Sequence, residues 1–165
     1  MPRLLVAALQ TIVAGAFLVG LYAQLVVIPT SAADQVELFP PYAANRVPLV
    51  AAAILFVACG QLALVGLGML LRRASRGTVF RPSALTGANV VIGATAAATV
   101  VTAAVFAYVT VADIPSPTDG MEVIGLWLGT AAAVVAGTAA VLLLFAGRHL
   151  LVKAIGLRTE LDGVV

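Results

Sequence analysis

The side chains in this chain that could do chemistry are few and scattered. Cys59 is the one cysteine and His149 the one histidine. A dithiol relay or internal disulfide is therefore excluded, and two histidines on one haem iron cannot come from a single chain. No Ser/His/Asp set, metal-ligand spacing or phosphate-cradling glycine loop is legible, so neither an enzyme nor a cofactor or metal site is expected. The polar side chains inside apolar surroundings are Gln10, Gln24, Gln61, Asn89 and several threonines. Gln61, near the middle of its apolar stretch, is the costliest to leave unpaired. It should bond a threonine, a tyrosine or a backbone carbonyl of another helix. Gln61, Asn89 and Tyr108 also form the best available set for a ligand contact inside the protein, although glue between helices is the plainer reading of Gln61.

The elements that must position these residues are four apolar runs, residues 4–28, 47–71, 88–111 and 123–146, which hold no Asp, Glu, Lys or Arg. A helix of 24 or 25 residues crosses the roughly 30 Å hydrocarbon core with some tilt. The expected fold is all-α: an integral membrane four-helix bundle in one domain, residues 1–165. Proton relays and ion pathways place ionisable residues inside such runs, and these runs carry none. A cleaved signal peptide is not expected, because the first run far exceeds the 7–15 apolar residues of one.

Charge orients the bundle. Arg3, Arg72, Arg73, Arg76, Arg81, Arg148, Lys153 and Arg158 lie in the segments at one end, leaving Arg46 alone among basic residues at the other. Asp34, Glu37, Asp113, Asp119 and Glu122 lie with Arg46. The bias of short cytoplasmic loops toward Lys and Arg predicts both termini in the cytoplasm, in a bacterial cell membrane. The isoelectric point near 9.1 then reflects orientation in the lipid bilayer rather than a nucleic-acid surface.

Along the chain, Pro29 is expected to stop the first span, with a short surface helix over residues 32–39 ended by Pro40-Pro41. Pro48 should sit in the first turn of the second span. Pro82 and Ser83 make a helix start. Residues 113–120 read as a breaker-rich turn, and Glu122 suits the positive end of the fourth helix.

Gly125, Gly129, Ala133 and Gly137 recur every four residues along the fourth span. They predict close packing within the bundle, with self-association into a homo-oligomer as the alternative. Residues 149–165 mix Leu151, Ile155 and Leu161 with Lys153, Arg158, Glu160 and Asp162 at helical period, which predicts an amphipathic cytoplasmic helix continuing the fourth span. With the hairpin of residues 72–83, and especially Arg72, Arg73, Arg76, Phe80 and Arg81, this tail forms the expected surface for lipid headgroups or a cytoplasmic protein. Its contact residues are Leu151, Ile155, Arg158 and Leu161.

Two segments carry a resemblance. Arg76-Gly-Thr-Val-Phe-Arg-Pro-Ser83, leading to Val90-Val-Ile-Gly93, resembles the hairpin and following helix of DUF2975, a family of uncharacterised bacterial four-span membrane proteins. Ala154-Ile-Gly-Leu-Arg-Thr-Glu-Leu-Asp-Gly-Val-Val165 resembles that family's charged closing stretch. The resemblance implies no activity. It does imply a membrane partner for a small helix-turn-helix regulator, beside which members are encoded. The expected function is thus a small membrane accessory or regulatory protein presenting the basic hairpin and C-terminal helix to a cytoplasmic partner. The alternative is a carrier or immunity-type protein handling an apolar ligand or peptide through Gln61, Asn89 and Tyr108.

Overall fold

The computed structural model describes residues 3–75, 84–116 and 120–162, with side chains given for residues 4–75, 85–116 and 120–156. The described residues are helical almost throughout. Helix α1 spans Arg3–Tyr22, and a π-helical stretch over Ala23–Val27 joins it to α2, Ile28–Leu38. A 3₁₀ turn, Pro40–Tyr42, leads into α3, Ala43–Ser75. Helices α4, Ala84–Val111, and α5, Met121–Asp162, complete the chain. Four stretches are long and apolar enough to cross a membrane: Leu4–Leu38, Pro40–Ser75, Leu85–Val111 and Met121–Gly156. The protein is a multi-pass membrane protein.

Pro29 does not stop the first span as expected. The helix runs on to Leu38, and the chain accommodates the proline by widening one turn before it. Ile28 N–H reaches back five residues to the Ala23 carbonyl, the signature of a π-turn. That turn relieves the clash between the proline ring and the carbonyl four residues earlier. Thr30 Oγ1 then donates to the Val26 carbonyl at 2.7 Å, satisfying an acceptor beside the break. Pro48 likewise lies inside α3 rather than in its first turn, because the helix already begins at Ala43.

The helices pack in chain order. α3 lies between α1 and α4, and α4 lies between α3 and α5. Among the described residues the backbones of α1 and α5 nowhere come together. This arrangement suits a bilayer. Apolar side chains facing lipid lose nothing relative to facing protein, so helix contacts need close approach or hydrogen bonds instead. No large side chain is fully enclosed among the described residues.

A close approach joins α3 to α4. A Cβ built on Gly66 would lie 2.8 Å from Val91 Cγ2 and 3.0 Å from the Gly87 carbonyl oxygen. A Cβ on Gly87 would lie 3.2 Å from the Gly66 oxygen. Two glycines on neighbouring helices thus face each other at the crossing, and neither tolerates a side chain without the helices parting.

Threonine hydroxyls, which would be costly to leave bare in lipid, bond back into their own helices. Thr95, Thr99 and Thr102 each donate to the carbonyl four residues earlier at 2.8–2.9 Å.

Candidate functional site

The polar side chains of the spans stitch each helix to its neighbour. Between α1 and α3, Gln61 Nε2 donates to the Phe17 carbonyl at 3.3 Å. At the same junction Gln24 Nε2 donates to the Ile54 carbonyl at 3.1 Å. Between α3 and α4, the Tyr108 hydroxyl donates to Asn45 Oδ1 at 2.5 Å, and Asn45 is only 7% exposed. Between α4 and α5, Arg148 Nε donates to Asn89 Oδ1 at 2.7 Å and Trp127 Nε1 to Thr110 Oγ1 at 3.0 Å. Gln61, Asn89 and Tyr108 therefore do not converge. Each serves a different helix interface, Asn89 on the exposed surface and the other two half-buried.

The glycine stripe of α5 behaves unevenly. Gly137 packs tightly, since its Cβ would come within 2.5 Å of Thr99 Oγ1. Gly125 and Gly129 have open space where a side chain would be, and Ala133 is exposed. The expected contact along the stripe is corrected: within this chain it is made at Gly137 and not at Gly125 or Gly129. The physical reason is that, among the described residues, the backbone of α5 runs close only to that of α4, so much of its circumference faces away from its neighbours.

At the basic end, Arg72 stands at the mouth of an open groove of about 540 Å³ between α1 and α3. The groove runs past Gln10, Val13, Phe17, Leu64 and Met69. Arg73 is half-buried. Arg76, Phe80 and Arg81 lie outside the described residues. The backbone of α5 continues without interruption to Asp162, carrying Arg158 and Leu161, whose side chains also lie outside the described ones. Ile155 is 8% exposed, so it packs against its own chain instead of being presented as expected, and Leu151 is half-buried beside Leu70 and Ala88. His149, Leu150, Val152, Lys153 and Gly156 are exposed on this stretch. Near its root the tail thus turns Ile155 inward.

At the acidic end the structure brings together residues that sequence reasoning did not group. Tyr42 O–H donates to Glu122 Oε2 at 2.8 Å, linking the turn before α3 to the first turn of α5 across eighty positions of chain. Phe39 and Tyr42 meet edge to face with ring centroids 4.9 Å apart. Both residues flank Pro40-Pro41, and this turn-forming pair beside two aromatics was the available signal.

A family model described as a protein of unknown function (DUF2975) matches residues 30–165, from the start of the α2 extension to the end of the chain. No curated protein and no solved structure matches.

Proposed function

Since this chain belongs to the DUF2975 family, whose function is unknown, we propose a role from the molecule itself: a small membrane accessory protein that acts through its basic end on a cytoplasmic partner. The observation that carries this reading is the length of α5. Its 42 residues extend about 63 Å at 1.5 Å per residue, roughly twice the hydrocarbon thickness. The apolar run within it ends at Ala146, so some sixteen residues of the same helix extend past the run at the end where Arg72, Arg73, Arg148 and Lys153 gather.

In this reading the positive end faces the cytoplasm, following the distribution of Lys and Arg in the short connecting segments. The projecting helix is rooted by Ile155 against its own chain and offers Leu150, Val152 and Lys153 along its free side. Exposed apolar residues beside a cation suit a helix-in-groove contact, with charge at the rim setting register. A small helix-turn-helix regulator is the partner class to test first.

The test is co-purification from mild detergent with the full-length protein and with a Leu150→Ser, Val152→Ser, Lys153→Gln variant. All three positions are exposed, so insertion and folding should be unchanged while the cytoplasmic partner is lost. Retention of every partner by this variant would overturn the reading.

A further inference from the structure

The acidic end holds a cavity that the function proposed above does not use. It has a volume of about 270 Å³ and lies between α2, the start of α3 and the start of α5. Its walls are mostly apolar, with Val36, Leu49, Val50, Ile114, Val123 and Leu126. Gln35, Tyr42, Asn45, Arg46 and Glu122 supply the polar lining.

Leu49, Val50, Val123 and Leu126 fall inside the apolar runs 47–71 and 123–146, whereas Asn45, Arg46 and Glu122 fall just outside them, together with Val36 and Ile114. The cavity therefore has an apolar portion that continues into two of the apolar runs and a polar portion at their ends. That is the profile of an amphiphile.

Two of the polar groups, Asn45 and Arg46, have donors to spare. Asn45 is buried, its Oδ1 is taken by Tyr108, and its amide nitrogen has no partner among the described residues. Arg46 makes no hydrogen bond or ion pair among them, and it is the sole Lys or Arg at this end. The buried Asn45 amide calls for an acceptor on a ligand, and the exposed Arg46 guanidinium next to it in sequence favours an anionic one. Glu122 opposes an anion from the rim, where Tyr42 holds its carboxylate.

We propose that this cavity binds a single-chain amphiphile with an anionic carboxylate or phosphate head, the head at Arg46 and Asn45 and the chain against Leu49, Val123 and Leu126. Its volume is nearly twice the roughly 150 Å³ of a benzene-binding apolar cavity, which suits part of one chain rather than two.

Native mass spectrometry of the full-length protein in mild detergent tests this with three probes: palmitate, palmitoyl-lysophosphatidylglycerol and uncharged hexadecanol. One saturable adduct is expected with an anionic probe, and which of the two binds identifies the head. Arg46→Gln should weaken that probe about tenfold, the worth of one charge-assisted hydrogen bond, while leaving hexadecanol unchanged. Glu122→Gln should strengthen it. Ala32→Phe should remove the adduct by filling the cavity, with Val36→Phe as a second filling variant if the first does not fold. Equal binding of palmitate, lysophosphatidylglycerol and hexadecanol would overturn the proposal. So would an adduct that survives a folded filling variant, which marks binding on the detergent-facing surface only.

Discussion

Replacing Gly66 with alanine puts a methyl group where the α3–α4 crossing has no room. The new Cβ would lie 2.8 Å from Val91 Cγ2, 3.0 Å from the Gly87 oxygen and 3.1 Å from Val90 Cγ1. Favourable contacts between carbon atoms lie at about 3.5–4.0 Å, so the helices must part by roughly half an ångström or more. The Gly87 oxygen is backbone and cannot swing aside. Overpacking of this kind costs about 1–3 kcal/mol. Alanine also gains up to about 1 kcal/mol of helix propensity over glycine, which blurs the raw measurement. Gly129→Ala removes that ambiguity: it makes the same chemical change in open space. The propensity gain cancels in the comparison, leaving the packing cost. Reversible unfolding in mixed detergent micelles should therefore place Gly66→Ala about 1–3 kcal/mol below Gly129→Ala. Equal stabilities would show that α3 and α4 do not cross at these glycines.

Three further outcomes follow from the same geometry. Tyr108→Phe strips the partner from the buried Asn45 oxygen and should cost about 1 kcal/mol, a coupling that an Asn45→Val, Tyr108→Phe double-mutant cycle in micelles would isolate. Gly137→Ala should destabilise more than Gly125→Ala, because Thr99 Oγ1 stands in the way only at the former and is held by its bond to the Thr95 carbonyl. On a Cys59→Ala background, an impermeant thiol reagent applied to intact cells should label Asp113→Cys and spare Lys153→Cys, both of which are exposed positions; the reverse pattern would invert the orientation.

What the sequence makes legible is decided by which interactions are local. Charge-free runs of fixed length are a property of the chain itself, so the four apolar helices could be read directly. Gln61 was also readable, since a lone amide at mid-membrane has few alternatives to a neighbouring carbonyl, and it finds the Phe17 carbonyl. Pro29 was misread because a rule for ideal helices ignores the option of one wider turn, which a run of Ala23–Val27 takes up. The glycines show the same limit more sharply. A stripe at spacing four on α5 looked like an interface, yet Gly125 and Gly129 are open, while Gly66 and Gly87 form a close crossing without any repeat to announce them. Small residues permit close approach, but which neighbour arrives depends on how the helices are ordered in space. The acidic-end cavity was hidden for the same reason: Arg46 and Glu122 read as charges in separate loops until the fold set them around one volume.

The central claim is that the projecting end of α5 meets a protein in the cytoplasm. A photo-reactive side chain placed at Val152, on the exposed side of that projection, tests it in living cells, with Val135 on the exposed mid-span face as the comparison. The account predicts a discrete adduct with one soluble protein from Val152, absent from Val135 and lost in a Leu150→Ser, Lys153→Gln background. Adducts with lipid alone from both positions would contradict it.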